Sequence, residues 1–271
     1  MTNNAAPPAE TPARVEVFQL PTGTYETPAA LAFQGGRFRD RRQFAATAVL
    51  VRHPKGDVLI DAGFGAHAEE HIRSLPAFRR SPHHLGATVS QQLDAAGHDR
   101  GRLLGVILTH SHWDHVSGLD SLDVPVLVTA EELRYAADSR GDRVFGRVVP
   151  GHDLRVYALD GPPHLGFPAS HDLHGDGSVV IVPTPGHTTG SVAVLVTAGP
   201  GQRFAFVGDL AWQLDGIERG AQRPLVMRLL ADSDPARVRR DLARVAALPP
   251  DVRIVPAHDA RAYAGIPLLG A

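Results

Sequence analysis

Cysteine is absent from the 271 residues of the chain, and Lys55 is the only lysine. Without cysteine the protein has no disulfide, no thiolate metal ligand and no thiol nucleophile. The other basic residues are arginines that form no basic block, and the formal net charge is −2. Nucleic acid is therefore not an expected partner. No apolar run reaches the roughly 18 residues that a membrane-spanning helix needs, so no membrane contact is expected either.

The first residues, MTNNAAPPAETPA, are polar and rich in proline and alanine. They have neither the charged start nor the apolar core of a signal peptide. We predict a disordered leader over residues 1–13, followed by a single domain over residues 14–271. The lack of a signal peptide and of cysteine fits a cytoplasmic location.

Stretches typical of strands and of helices alternate along the chain. Apolar, β-rich runs bounded by glycine or proline predict strands near residues 13–20, 45–53, 57–63, 103–110, 124–130, 177–186, 190–199, 203–209 and 252–259. Helical spacing predicts helices over residues 86–97, 131–139 and 234–248. In the last of these, Asp234 is the expected N-cap and Pro235 the first helical residue. The stretch from Asp138 to Ser178 is expected to be irregular, and residues 25–44 and 64–85 are candidate lids.

The motif THSHWDHVSG, at residues 109–118, directly follows a buried strand. In extended backbone, side chains two residues apart point the same way, so His110 and His112 can face one metal ion. The turn that follows lets Asp114 and His115 reach a second ion. Imidazole and carboxylate groups suit zinc, iron or manganese, which often occur in pairs in hydrolases.

Three further residues of metal-binding types stand singly at the ends of predicted strands. His187 lies in TPGHTTGS, Asp209 ends FVGDL, and His258 ends VPAHD. Loops gather into sites at strand ends, so these residues are candidates for the same centre. Taken singly, each is better explained as a cap or a surface residue, and only the set of three together with the first motif favours a metal centre.

From VLVRHPKGDVLIDAG to VPAHD, the order of these motifs resembles the metallo-β-lactamase superfamily, and within it the branch of the N-acyl-homoserine lactonases and glyoxalase II. The resemblance implies an α/β fold, the four-layer αββα sandwich, with two divalent metal ions at one edge. Zinc is the first choice, with iron or manganese as alternatives. The implied ligands are His110, His112 and His187 for the first ion, Asp114, His115 and His258 for the second, and Asp209 bridging both. Asp61, in IDAG, matches the aspartate that orients ligand imidazoles in the family, although a turn-forming aspartate before glycine explains it equally well.

The function implied is a dinuclear hydrolase in which a bridging hydroxide attacks a small lactone or ester, with Asp114 and Asp209 as the catalytic carboxylates. Asp114 is the candidate proton shuttle. The alternatives are a phosphotriester hydrolase on the same site and a persulfide dioxygenase with one iron. A non-catalytic binding protein would have lost some of these ligands. The expected partner is a small-molecule substrate, and the sequence does not reveal the oligomeric state.

The lactonases carry a tyrosine three residues after the bridging aspartate, and Trp212 stands at that position here. An indole N–H donates a hydrogen bond but does not exchange a proton as a phenol does. Whether Trp212 replaces the tyrosine is therefore open. The candidate residues of an apolar substrate pocket are Trp113, Trp212, Phe33, Phe64 and Met227, and core or lid packing is the alternative for the last three.

Overall fold

The computed structural model of the protein describes residues 15–138, 143–199 and 201–271. The leader expected over residues 1–13 lies outside these ranges. Within them, no helix is long and apolar enough to cross a membrane.

Two β-sheets form the centre of the molecule. The first has seven strands, in the order β4-β1-β2-β3-β5-β6-β7. Their bounds are β1 (Glu16–Pro28), β2 (Arg41–Arg52), β3 (Asp57–Ile60), β4 (His83–Leu85), β5 (Leu103–Ile107), β6 (Val126–Thr129) and β7 (Leu154–Tyr157). The second has five strands, in the order β12-β11-β10-β9-β8. Their bounds are β8 (His171–Asp172), β9 (Val179–Pro183), β10 (Val192–Gly199), β11 (Gln202–Phe206) and β12 (Val252–Val255).

Helices cover the outer face of each sheet. The α-helices are α1 (Ala29–Ala32), α2 (Ala68–Ser74), α3 (Val89–Ala95), α4 (Trp113–Val116), α5 (Ala130–Ala137), α6 (Phe145–Val148), α7 (Leu214–Glu218), α8 (Leu225–Ala231) and α9 (Pro235–Ala246). Helix α9 begins as the sequence predicts, because the Asp234 side chain accepts hydrogen bonds from the backbone N–H groups of residues 236 and 237 and Pro235 follows it.

The alternation of side chains along the strands produces four layers. Val49 of β2 and Val194 of β10 are buried in the apolar core between the two sheets. Their neighbours in sequence point the other way: Leu50 packs in the core shared with α3, and Leu195 in the core shared with α9. Burying such a side chain contributes about 1.5–3 kcal/mol. The expected αββα sandwich is confirmed.

Two expectations about the strands were wrong. Strand β1 continues to Pro28 instead of ending near Leu20, because a register shift between Pro21 and Gly23 accommodates both residues in the ladder with β2. The stretch from Asp138 to Ser178 contains α6, β7 and β8 and is not wholly irregular. Strand β7 is an edge strand with mostly exposed side chains, so its sequence carries little hydrophobic alternation.

Both candidate lid segments contribute strand residues to the first sheet. In the first segment, Tyr25 to Pro28 completes β1 and Arg41 to Phe44 begins β2. The second segment contains α2 and β4, and β4 pairs with β1.

Candidate metal centre

The metal-binding residue types lie at one edge of the sandwich, where strands from both sheets end. Strand β5 leads into the motif at residues 109–118, while β9, β11 and β12 lead to His187, Asp209 and His258. Strands β3, β5 and β6 are parallel to one another, as are β11 and β12, so their carboxyl ends meet at one edge. Gly208 adopts φ 51°, a left-handed conformation that suits glycine, and turns the chain just before Asp209.

The structure brings all seven of these side chains together in two buried groups. One contains His110, His112, His187 and Asp209, and the other contains Asp114, His115 and His258. Within each group the potential ligand atoms all lie within 4.8 Å of one another.

Three imidazole nitrogens converge in the first group. His112 Nδ1 lies 3.1 Å from His110 Nε2 and 2.9 Å from His187 Nε2. In the second group, His115 Nε2 lies 3.4 Å from His258 Nε2. Basic nitrogens this close repel one another unless a proton or a cation lies between them. The donor set therefore fits a bound metal ion.

The Asp209 carboxylate lies between the two groups. Its Oδ2 atom is 3.3 Å from His187 Nε2 and 3.7 Å from His110 Nε2. Its Oδ1 atom is 2.8 Å from His258 Nε2 and 3.3 Å from His115 Nε2. One oxygen thus faces each group.

Each of the five histidines has a polar neighbour at the ring nitrogen that points away from the centre. Such neighbours fix the tautomer and the orientation of the ring. The pairs are His110 Nδ1 with Thr109 Oγ1 (3.1 Å), His112 Nε2 with the Tyr135 hydroxyl (3.1 Å), His115 Nδ1 with Asp61 Oδ2 (2.7 Å), His187 Nδ1 with Asp232 Oδ1 (3.1 Å) and His258 Nδ1 with the Ala45 carbonyl (2.8 Å). The lone pairs of the inner nitrogens are left directed at the centre.

Asp61 combines the two roles that the sequence leaves open. It adopts a turn conformation with φ 56°, which costs a non-glycine residue about 1–2 kcal/mol. Its carboxylate accepts hydrogen bonds from the backbone and the hydroxyl of Thr109, both at 2.8 Å, and lies against His115.

Burial and charge shift the pKa values at the centre. Burial lowers the pKa of His110 and of His112 well below the usual value, so both rings are neutral at pH 7. Burial alone would raise the pKa of Asp209, but His258 and His115 outweigh it and hold this pKa well below its usual range. Within the first group, two neutral imidazoles therefore lie beside an ionised carboxylate. Burial alone would lower the pKa of His115 and of His258, but the carboxylates beside them, Asp209 among them, outweigh it and raise both.

A buried carboxylate that the sequence does not reveal joins two of the motif loops. Glu132, in α5, accepts hydrogen bonds from the backbone N–H (2.7 Å) and the hydroxyl (2.6 Å) of Ser111 and from the Thr188 hydroxyl (2.6 Å). Gly190 allows this close approach, since a Cβ there would lie 2.1 Å from the Glu132 nitrogen. In the sequence, Glu132 looks like an ordinary acidic residue in the first turn of a helix.

A buried ion pair also supports the centre. Arg223 Nη1 donates to Asp232 Oδ1 at 2.7 Å, while Nη2 donates to the Asp209 carbonyl. The guanidinium carbon lies 4.3 Å from the ring centroid of Trp212. The pair thereby contacts His187, Asp209 and Trp212 together, and no local sequence pattern indicates it.

The five residues expected in the pocket lie in different surroundings. Trp212 Nε1 donates to Asp209 Oδ2 at 2.7 Å. Trp113 stacks on Phe64 at a centroid distance of 5.3 Å, and Phe64 is 1% exposed. Phe33 is buried in a small cluster against which Trp212 packs. Met227 lies in α8 and is half-buried. Phe33 and Phe64 are both buried, and the role of these five residues in a substrate pocket remains a prediction.

Tyr25 reaches the centre from β1, although the sequence singles it out only as the start of a candidate lid. Its hydroxyl donates to Asp114 Oδ2 at 2.8 Å. The ring lies among aromatic neighbours, with centroid distances of 5.2 Å to Phe44 and 5.8 Å to Trp113.

Comparison with known proteins identifies the family. The model of the metallo-beta-lactamase superfamily matches residues 41–258, and the chain belongs to this superfamily. A probable metallo-hydrolase of Mycobacterium tuberculosis is 33% identical over 233 residues, covering 79% of this chain and 74% of that protein. Hydroxyacylglutathione hydrolase of Rhodobacter capsulatus is 29% identical over 174 residues, covering 61% of this chain and about half (52%) of the relative.

Solved structures share the fold at low sequence identity. An N-acyl homoserine lactone hydrolase, with the product N-hexanoyl-L-homoserine at its catalytic metal center, has a TM-score of 0.72 at 15% identity, covering 94% of this chain and 98% of that one. The family and the clustered donors together define the protein as a metal-dependent hydrolase.

Proposed function

We propose that the protein is a dinuclear hydrolase of small lactones or esters. His110, His112 and His187 hold one divalent ion, Asp114, His115 and His258 hold the other, and Asp209 bridges them. Both ions are zinc, with iron or manganese as the alternatives. The observation that carries the proposal is the orientation of Asp209, which directs one oxygen at each group of nitrogens.

When bound, such ions supply an activated water and positive charge beside the substrate carbonyl. The protein's own side chains position the ligands and transfer the proton. The Trp212 N–H holds the bridging carboxylate, and Asp61 and Asp232 fix the rings of His115 and His187. Asp114 moves a proton from the attacking water to the leaving oxygen.

An acyl substrate is favoured over the alternatives. Hydroxyacylglutathione hydrolase, a relative by sequence, is named for an acyl substrate, and the lactone hydrolase with the same fold carries an opened acyl-homoserine as its product. A persulfide dioxygenase needs one iron, which the first group alone would bind, and it leaves the second group without a role. A phosphotriesterase would use the same seven ligands, so the two functions are distinguished by which substrates the protein hydrolyses.

We also propose that residues 14–271 act as one domain. Val15 and Ile266, from opposite ends of the chain, are buried in the same inter-sheet core. The Gln19 backbone N–H donates to the Pro267 carbonyl at 2.9 Å.

The test combines metal analysis with a rate panel on one sample. The panel holds acyl-homoserine lactones, simple lactones, alkyl and aryl esters, an S-acyl glutathione and a phosphotriester. We expect two ions per chain and turnover of lactones or esters. Asp209→Ala should lose metal and activity, whereas Asp234→Ala, at a helix cap whose side chain is 45% exposed, should keep both. Full activity in Asp209→Ala, or one iron without hydrolysis, would refute the bridged two-metal centre.

A further inference from the structure

Tyr25 contacts the Asp114 carboxylate from outside the metal motif. It lies in β1, where it pairs with Phe44 of β2, and its hydroxyl is 2.8 Å from Asp114 Oδ2. Asp114 is 6% exposed, so few water molecules can take the place of this hydroxyl. The hydrogen bond therefore forms in a site where such bonds are strong.

The direction of this hydrogen bond is fixed by chemistry. An ionised carboxylate only accepts, so the phenol must donate. Burial raises the pKa of Tyr25 well above its usual value, and the charges of Asp114 and Asp209 raise it further, so the hydroxyl keeps its proton. Tyr25 is therefore a neutral donor to the Asp114 carboxylate.

The two carboxylates of the centre are thus held by different aromatic donors. The Trp212 N–H donates to Asp209 Oδ2 at 2.7 Å, and the Tyr25 O–H donates to Asp114 Oδ2. Trp212 already donates its one N–H to the bridging carboxylate, whereas Tyr25 acts on the carboxylate proposed to move the proton.

Resting on the proposed function, we propose that Tyr25 is a positioning residue for Asp114 and sets the rate for substrates whose leaving oxygen needs a proton. Water oxygen bonds to the acyl carbon, and the bond from that carbon to the leaving oxygen breaks. One water proton passes to Asp114 and then to the leaving oxygen, and the other leaves with the carboxylic acid product, which ionises. By donating to Oδ2, the Tyr25 hydroxyl keeps the Asp114 carboxylate in one orientation for both proton transfers.

The experiment compares Tyr25→Phe with the unmodified enzyme on two esters of one acid. Ethyl acetate has a leaving oxygen that must be protonated, and 4-nitrophenyl acetate has one that leaves as an anion. We expect kcat for ethyl acetate to fall by about 10- to 100-fold, the effect of losing one hydrogen bond to a charged group. We expect kcat for 4-nitrophenyl acetate to change by less than about threefold, with the metal content unchanged.

Tyr263→Phe is the matched control. Tyr263 is also a buried phenol, but it lies in the inter-sheet core with its hydroxyl 3.4 Å from the Ala257 carbonyl. Tyr263→Phe should leave the ratio of kcat for ethyl acetate to kcat for 4-nitrophenyl acetate unchanged. An equal loss on both esters in Tyr25→Phe, with or without loss of metal, would overturn the assignment, because packing or metal retention would then explain the effect.

A second measurement does not depend on the variant folding. In the unmodified enzyme, the solvent deuterium isotope effect on kcat should be larger for ethyl acetate than for 4-nitrophenyl acetate. Equal effects would overturn proton delivery by Asp114, and the role of Tyr25 with it. If the unmodified protein holds two metal ions and hydrolyses neither these esters nor the lactones of the panel, the proposed function itself fails. A uniform loss in Tyr25→Phe counts against Tyr25 alone.

Discussion

Replacing Asp232 with asparagine tests how much the centre depends on its buried ion pair. The Asp232 side chain is 0% exposed and that of Arg223 is 3% exposed. Burial alone would raise the pKa of Asp232, but Arg223 and the hydrogen bond with His187 outweigh it and lower this pKa. The carboxylate is therefore ionised in the folded protein.

Asp232→Asn keeps the shape of the side chain and removes its charge. Arg223 would remain buried without a counter-ion, and breaking one partner of a buried pair costs about 3–5 kcal/mol. The partner of His187 Nδ1 would change from a carboxylate to an amide. Removing such a partner typically lowers metal affinity by about 10- to 100-fold.

The two effects are measured separately. Urea unfolding in the presence of a chelator gives the free energy of unfolding of the metal-free protein, and titration against a competing chelator gives the metal affinity. Asp234→Asn is the matched control, because it removes the same charge two residues away at an exposed cap where asparagine serves equally well. An Asp232→Asn protein that matches the control in both measurements would refute the supporting role of the pair.

Two other perturbations test the scaffold around the centre. Gly190→Ala would place a Cβ 2.1 Å from the Glu132 backbone nitrogen; we expect it to destabilise the protein by several kcal/mol and to lower metal affinity. Gly199→Ala, where no atom lies within 4 Å, should be nearly neutral, and equal urea midpoints for the two variants would contradict the packing argument. Asp57 lies at the start of β3, away from the candidate metal centre. Burial alone would raise its pKa, but hydrogen bonds from a backbone N–H, from Arg102 and from a histidine ring outweigh burial and lower it. Its stabilising effect is thus present above the unfolded pKa of about 3.9 and is lost as the pH falls through the lower folded pKa. Unfolding between pH 2 and pH 6 should show a shallower pH dependence in Asp57→Asn than in the unmodified protein, and identical slopes would contradict this.

The sequence predicts residues that belong to a pattern and misses those that act through long-range contacts. His110 and His112 are two residues apart after an apolar strand, so strand geometry alone places them together. Tyr25 and Asp114 are separated by 89 positions, and only the pairing of β1 with β2 and the turn after β5 bring them together. Arg223 and Asp232 are common residue types on either side of α8, and their burial is decided by tertiary packing that no periodicity records.

The limits of strand prediction have the same physical origin. Pro21 and Gly23 are turn-like residues and predict that β1 ends before them. The ladder absorbs both at a register shift, since a bulge needs neither regular φ nor every N–H donor. The consequence for the site is direct, because the extension of β1 beyond this shift carries Tyr25.

In the proposed centre, each metal ion would link the two sheets. His110, His112, Asp114 and His115 follow β5 of the first sheet, whereas His187, Asp209 and His258 follow strands of the second. Each group of donors therefore takes members from both sheets. Beneath them, apolar side chains of both sheets pack against one another.

Metal binding should therefore contribute to the stability of the whole sandwich. A ligand that binds only the folded state adds about 4 kcal/mol at a concentration 1,000 times its Kd, and the donors are brought together only in the folded chain. The polar partners of the rings also come from different parts of the sandwich. Asp61 and the Ala45 carbonyl belong to the first sheet and its loops, whereas Asp232 follows α8. They hold the rings in place on both sides of the interface, so the geometry for catalysis and the cohesion of the sheets depend on the same contacts.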